Sequence, residues 1–338
     1  MKLGIVGISG LVGHNILKSL DMQNIKFDEL ILFGNSTIGQ IIEFRDVLYT
    51  VQNFDSSFLN YLDYCILAVD NEIAKQIVEH QIENKCKCVI IDNSSQYRLS
   101  HPLIIPEINP DDMSEFDHIV ANPNCSTTML CMLLKPLTFI GNLKKVFVST
   151  YQASSGAGIN GMNELLQQTY EYSFNGNNDL TTTFWKKPYV FNVFSHNSNI
   201  NKDTHLNTEE TKMILETRKI LHEPNLIVVP TCIRVPTLRC HCLSVSVEFD
   251  RQLEMNEIMR TLDNFKGIEI MNDEDNNQFP EPVIVSGKSD VYVGRIRPNH
   301  QIDFIDKTTW SFFVVGDQLL KGASYNSIQI LDYLMKIR

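Results

Sequence analysis

Cys125 stands where the stretch ANPNCSTTML passes from turn residues into an apolar run. Asn122, Pro123 and Asn124 form turns, and Ser126 to Leu130 begin a helix, so the thiol falls at a helix start. A helix N-terminus favours negative charge, and the thiolate is the reactive form of cysteine. The dipole is worth about 0.3–1 kcal/mol, less than tenfold in thiolate population, so a nucleophile here still needs a nearby base. The chain offers Gln152 in TYQASSGAG, Arg234 and His241 in RVPTLRCH, and Arg98 in NSSQYR. An imidazole moves protons near neutrality, and a guanidinium holds a carboxylate or phosphate through two N–H groups. Each has a plainer reading: a buried inert thiol, a strand-edge histidine bonded to backbone, or a solvated loop residue. Together they are the parts of nucleophilic chemistry on an anionic substrate.

A second chemistry-bearing stretch lies near the start. KLGIVGI reads as a short buried strand, followed by Gly7-x-x-Gly10-x-x-Gly13 and the helical spacing of LVGHNILKSLD. A strand, a glycine turn and a helix form the arrangement in which a dinucleotide pyrophosphate meets exposed N–H groups at the helix start. The spacing departs from G-x-G-x-x-G, and glycines for tight strand–helix packing alone are the alternative.

Metal chemistry is weakly signalled. Cys86 with Cys88, and Cys240-His241-Cys242, approach zinc-ligand spacing. In a strand, however, Cys240 and Cys242 share one face and His241 takes the other, so the three do not close on one ion, and no metal is expected.

The elements that must position these groups alternate along the first third. ELILFG, YLDYCILAVD and CVIIDNSS read as strands and NEIAKQIVEHQIEN as a helix. Strands alternating with helices indicate a parallel α/β sheet, whose ligands sit beyond the strands' C-terminal ends, where Asn93, Ser94, Ser95 and Arg98 fall. After residue 125 the pattern changes to α+β: CSTTMLCMLLKPL and NTEETKMILETRKIL read as helices, and KKVFVSTYQ, LIVVPTCIRVP and CLSVSVEF as strands. VIVSGKSDVYVGRIR reads as a strand pair, SFNGNNDLTTTF and MNDEDNNQFPEP as loops, and VVGDQLLKGASYNSIQILDYLMKIR as a return to helix.

The 338 residues suggest two domains. A net charge of −11 argues against a nucleic-acid surface. Against that field an anionic substrate needs local cationic clamps, which draws attention to particular arginines. No run reaches the 18 apolar residues of a membrane span. Lys2 and LGIVGISGLVG imitate a signal peptide, but regularly spaced glycines and helical spacing interrupt it. Eight cysteines without an export signal read as reduced thiols of a cytoplasmic protein.

Taken in order, GISGLVG, NSSxxR, PNCSTT, YQASSGAG with NELLQQT, EETKM, RVPxxRxH and a KGAxxNxxQI tail resemble the aspartate-semialdehyde dehydrogenase family from Gly7 to the last helix. The resemblance implies a Rossmann-type dinucleotide-binding domain with a parallel sheet (1–124 plus 318–338). It also implies an α+β catalytic and dimerisation domain (125–317), like that of glyceraldehyde-3-phosphate dehydrogenase. It implies NADPH-dependent reductive dephosphorylation of L-aspartyl 4-phosphate to L-aspartate 4-semialdehyde, in the synthesis of lysine or diaminopimelate, threonine and methionine, by a homodimer.

By the same resemblance Cys125 is the nucleophile, His241 the general acid/base and Gln152 the residue orienting substrate. Arg234 clamps the α-carboxylate, Arg98 binds phosphate, and Asn124, Glu209 and Lys212 help to bind substrate. Glu209 and Lys212 are also i,i+3 on a helix, where a solvated ion pair would look the same. NADP is expected at Gly7, Ser9, Gly10, Leu11, Val12 and Gly13, at Asn35, Ser36 and Thr37, and at Ser155, Gly156 and Gln318.

Some stretches depart from the family pattern. FGNSTIGQ has no Arg or Lys for a 2′-phosphate and no Asp or Glu for a ribose 2′-hydroxyl, which points to NADP with relaxed selectivity. SHNSNI stands where Pro-His is more usual, and the polar stretch 173–183 is particular to this chain. N-acetylglutamyl-phosphate reductase is the neighbouring alternative, disfavoured by NELLQQT and RVPxxRxH. A non-catalytic dinucleotide-binding paralogue would need none of Cys125, Gln152, Arg234 and His241.

Overall fold

The computed structural model describes residues 1–176, 178–301 and 303–338. The chain divides into two compact units, Met1–Asn124 with Gly322–Arg338, and Cys125–Lys321.

The first unit begins with β1 (Lys2–Val6), α1 (Leu11–Met22) and β2 (Glu29–Phe33). A hairpin of β3 (Ile41–Phe44) and β4 (Val47–Thr50) follows, then β5 (Tyr64–Leu67), α2 (Asn71–Glu83), β6 (Val89–Asp92) and β7 (Ile119–Ala121). Five strands form an all-parallel sheet in the order β2-β1-β5-β6-β7. Alternation sorts its side chains: Leu3, Ile5, Ile66 and Ile91 pack with Ile16 and Leu20 of α1, whereas Val6, Cys65 and Leu67 pack with Ile77 and Val78 of α2. The last helix, α8 (Tyr325–Ile337), joins the α1 layer through Ile328, Leu331 and Leu334, all fully buried. At about 1.5–3 kcal/mol for each such side chain, their burial is enough to hold the returning helix in this unit.

The second unit runs α3 (Cys125–Leu137), β8 (Leu143–Gln152), α4 (Gly158–Asn175), β9 (Phe194–Ser195), α5 (Thr208–Leu221), β10 (Ile227–Arg234) and β11 (His241–Phe249). It continues with α6 (Met255–Asp263), β12 (Ile268–Ile270), α7 (Pro282–Val285), β13 (Val291–Gln301) and β14 (Phe304–Gly316). Its mixed sheet has the order β12-β13-β14-β11-β8-β10-β9. Strand β8 lies parallel to β10 and antiparallel to β11. One face of the sheet turns Val146, Val148, Val228, Cys232, Val245 and Val247 inward, where α3 and α5 pack. The other face carries Phe147, Ser149, Val229, Thr231, Ser244 and Ser246, half-buried or exposed.

Three element expectations are corrected. VIVS is not a strand: Val283, Ile284 and Val285 lie in α7 and Ser286 follows its end, because Pro282 sets the helical φ of the first turn, and Gly287, at φ 86°, ends the segment before β13. Val314 and Val315 belong to β14 rather than to the C-terminal helix, as the continuous strand pairing through Gly316 requires. Ser173, Phe174 and Asn175 close α4 before Gly176 in the left-handed region, so the polar loop starts later than residue 173. Of that 173–183 stretch, Asn177 lies outside the described residues.

Candidate active site

The second unit brings its reactive groups to one end of one sheet. Gln152 ends β8 and Arg234 ends the parallel β10, and the two are register partners. His241 opens the antiparallel β11, so its first residue lies at the end where the other two finish. Arg234 and His241 would point to opposite faces of one straight strand. The chain instead leaves β10 at Val235, passes Pro236 and re-enters β11 after Cys240, which takes φ 72°. That turn sets both side chains against Gly156: a Cβ there would lie 3.0 Å from Arg234 Nη1 and 3.0 Å from His241 Nε2. Cys125 is the first residue of α3, whose Met129, one turn on, packs against Gly316 beside His241 in the sheet. Cys125 is half-buried, and a negative charge on it would raise the Arg234 pKa.

Arg234 is buried, with 4% of its surface exposed. Its Nη1 donates to the Ala153 carbonyl at 3.1 Å, its Nε donates to Asn197 Oδ1 at 3.3 Å, and its guanidinium lies 5.6 Å from the Trp185 ring centroid. Burial pulls its pKa below the usual guanidinium value, while Tyr189, Glu209 and Cys125 act the other way. Gln152 Nε2 donates to Glu209 Oε1 at 3.3 Å, and Glu209 meets Lys212 Nζ at 3.5 Å. Glu209 is 5% exposed, so its pairing with Lys212 is not a solvated surface contact. His241 is fully buried; Nδ1 accepts the Ala153 N–H at 3.0 Å, and Nε2 has no hydrogen-bond partner among the described residues. Burial, then the Arg234 charge, lowers its pKa to about 3.

Several walls of this site escaped the sequence reading. Strand β9 pairs with Ile233 and Arg234 and so delivers His196 and Asn197 of SHNSNI to the arginine. The NELLQQT stretch acts as a scaffold. Glu164 accepts the Trp185 N–H at 2.9 Å, and Gln168 Oε1 accepts the Tyr189 and Val190 N–H groups at 2.6 and 3.1 Å. Those bonds hold Trp185 and Tyr189, whose rings meet edge-on at 4.4 Å, with the Tyr189 hydroxyl donating to the Val235 carbonyl at 2.7 Å. Their only trace in the sequence is two polar side chains on the buried side of an amphipathic helix. Ser155 bonds Gln318, and Gln318 Oε1 accepts the Cys240 N–H at 2.8 Å, so this pair buttresses the entry to β11. Arg239 is 2.7 Å from the buried Asp317.

The remaining expected residues belong to the first unit. A cavity of about 470 Å³ lies at the C-terminal ends of β1, β2 and β5, lined by Gly7, Ser9, Gly10, Gly34, Asn35 and Asp70 among others, none of them Lys or Arg. Gly7 has φ 92°, and a Cβ at Gly13 would overlap the Gly7 carbonyl, so the turn is closed to larger residues. Leu11, Val12 and Gly13 form the first turn of α1, and Ser36 and Thr37 follow Asn35. Thr37 Oγ1 is buried without a hydrogen-bond partner among the described residues. Asp70 is engaged as the α2 cap, accepting the Ile73 N–H at 3.1 Å. The cavity and its glycine turn fit a dinucleotide. Arg98 is buried and donates to the carbonyls of Asn122 at 2.9 Å and Asn93 at 3.1 Å; Asn124 is buried too. Among the described residues no group of three or more His, Cys, Asp or Glu is placed to hold a metal ion, and no helix is long and apolar enough to cross a membrane.

Residues 2–116 match the semialdehyde dehydrogenase NAD-binding domain, and residues 134–321 the semialdehyde dehydrogenase dimerisation domain. Aspartate-semialdehyde dehydrogenase of Prochlorococcus marinus is 36% identical over 340 residues, covering 99% of this chain and 96% of that protein. The chain belongs to the aspartate-semialdehyde dehydrogenase family. The Bacillus subtilis enzyme of the same name is 33% identical, over 100% of this chain and 98% of its own length. The crystal structure of aspartate semialdehyde dehydrogenase II from Vibrio cholerae superposes with a TM-score of 0.91 at 31% identity, covering 99% of this chain and 98% of that one. Another structure of that enzyme, complexed with ASA, matches equally well. Family membership makes this an oxidoreductase with an NAD(P)-binding domain and a dimerisation domain.

Proposed function

We propose that this protein reduces L-aspartyl 4-phosphate to L-aspartate 4-semialdehyde and phosphate, with NADPH as the hydride donor. The observation that carries the reading is the placement of Cys125, Gln152, Glu209, Arg234 and His241 around one end of the second unit's sheet, in a family whose members are named for aspartate semialdehyde. Cys125 is the nucleophile, at a helix start and within the field of Arg234. The guanidinium of Arg234 suits a substrate carboxylate, and Glu209 a substrate ammonium group, the two opposite charges of an amino acid. Gln152, fixed by Glu209, orients the reacting end. His241 meets the reacting oxygen. Lys212 and Asn124 assist binding, and Arg98, already buried on two carbonyls, receives phosphate.

The dinucleotide, when bound, supplies the hydride. Gly7 to Gly13 hold its pyrophosphate, Asn35, Ser36 and Thr37 its adenosine end, and Ser155, Gly156 and Gln318 the nicotinamide side. The missing Lys or Arg means that preference for NADP over NAD is modest. The open face of β8, β10 and β11, apolar and hydroxyl-bearing beside the register pair Lys145 and Glu248, supports pairing of two chains sheet to sheet, through the dimerisation domain. The enzyme is cytoplasmic and its product enters the synthesis of lysine or diaminopimelate, threonine and methionine.

The test is a reverse assay with both nicotinamide cofactors. Aspartate semialdehyde should support repeated turnover of NADP only when phosphate is present, and N-acetylglutamate semialdehyde should not. Turnover of the acetylated substrate alone, or NADP binding without turnover of either, would overturn the reading.

A further inference from the structure

The guanidinium of Arg98 rests on two backbone carbonyls just beyond the parallel sheet. Nε donates to the Asn122 carbonyl at 2.9 Å and Nη2 to the Asn93 carbonyl at 3.1 Å. Asn93 follows the last residue of β6 and Asn122 the last residue of β7, so the ladder that orients carbonyls inside a sheet no longer orients these two. Their side chains do so instead. Asn122 Nδ2 donates to Asn93 Oδ1 at 2.9 Å and to the Ala323 carbonyl at 3.1 Å, and Asn93 Nδ2 donates to the Leu67 carbonyl at 2.8 Å. The last helix closes the network. Asn326 Nδ2 donates to Asn122 Oδ1 at 2.6 Å and to the Ile104 carbonyl at 2.8 Å, and Ser327 Oγ donates to Asn93 Oδ1 at 2.7 Å. Each asparagine whose carbonyl holds Arg98 is thus itself held by a residue in the first turn of α8, 204 and 234 positions further along the chain.

Docking of the helix does not require this arrangement, because Ile328, Leu331 and Leu334 already bury α8 on the first unit. Asn326 and Ser327 are fully buried and Asn122 is 1% exposed, so water does not replace a lost partner. A buried polar network whose members are satisfied rigidifies what it encloses. This one encloses the two carbonyls that hold Arg98. A guanidinium meets a phosphate through two N–H groups in one plane, so a carbonyl that shifts turns that plane away from the anion.

We propose that Asn326 and Ser327 are positioning residues for the phosphate subsite, setting the guanidinium of Arg98 through Asn122 and Asn93. The proposal rests on the reading that Arg98 receives phosphate. It gives the returning helix a part in the reaction, and both residues act through Arg98.

Phosphate is a substrate of the reverse reaction, so its KM reads the subsite directly. At saturating aspartate semialdehyde and NADP, Asn326→Ala should raise the KM for phosphate about tenfold, as expected when a substrate-holding group is misplaced by a fraction of an ångström. Ser327→Ala, which removes a single side chain's donor and spares the apolar contacts of α8, should raise it about threefold. The KM values for aspartate semialdehyde and NADP should stay within about twofold of wild type. Arg98→Lys should raise the phosphate KM by itself, and adding Asn326→Ala to it should cause no further rise, as for residues that act through one group. A purely structural role predicts similar losses against all three substrates and an additive double variant.

The Arg98 Nε–H can be followed without turnover in ¹H–¹⁵N spectra, its signal assigned by its loss in Arg98→Lys. Its exchange with water should be slow in wild type and about tenfold faster in Asn326→Ala. An additive double variant, a phosphate KM unchanged in both single variants, or an Nε–H as slow in Asn326→Ala as in wild type would each overturn the proposal. An unchanged phosphate KM in Arg98→Lys would instead count against Arg98 as the phosphate site. The exchange measurement would then still support or overturn the hold of α8 on the guanidinium.

Discussion

Gly156 sets the tolerance at which the site is built. Any side chain there would press on Arg234 Nη1 and on His241 Cε1 and Nε2, all at 3.0 Å from the added carbon. Neither neighbour can give way easily, since Arg234 is tied to Ala153 and Asn197 and His241 to the Ala153 amide. In Gly156→Ala, kcat/KM should fall roughly 10²-fold, the usual cost of displacing catalytic groups by a fraction of an ångström to one ångström. Circular dichroism and thermal unfolding should show the fold retained; full activity in that variant would mean that the crowded wall is not part of the site. At this scale the sequence was informative wherever chemistry demands one residue type, as for Cys125, Arg234 and His241. It was silent about Asn197, Trp185 and Tyr189, whose types are common and whose positions depend on contacts made far along the chain.

The strands and helices divide in the same way. The first unit's parallel sheet was readable from short β-branched runs alternating with helical spacing, since strands buried on both faces show little else. VIVS and VVG were misread because short apolar runs carry no reliable period; α7 is decided by Pro282, and the end of β14 by its pairing with β11 and β13. The open face of β8, β10 and β11 has its own consequence. Phe147 and Val229 are register partners, 47% and 42% exposed, and aligned with Ser246 across the next strand. A charge at the centre of such a face is costly to desolvate when a second copy covers it. If two copies pair through this face as proposed, Phe147→Asp should shift the protein from dimer to monomer in light scattering, with secondary structure unchanged. A variant that stays dimeric would place the subunit contact elsewhere.

For the molecule as a whole, a net charge of −11 surrounds a chemistry that handles anions, and the cations that matter are few and buried. Arg98 is held in the first unit by two carbonyls, and Arg234 in the second by a carbonyl, an amide side chain and an indole face. Ordered motifs could name a family, but neither they nor composition could show how these charges are held. The central claim is that Cys125 carries the acyl group between the two half-reactions. Mixing the protein with aspartate semialdehyde and NADP without phosphate should produce a burst of about one NADPH per chain, as expected when a covalent intermediate accumulates. Intact-protein mass spectrometry should show the aspartyl adduct, peptide mapping should place it on Cys125, and Cys125→Ala should show neither burst nor adduct. A burst that persists in Cys125→Ala, or an adduct on any other residue, would contradict the account.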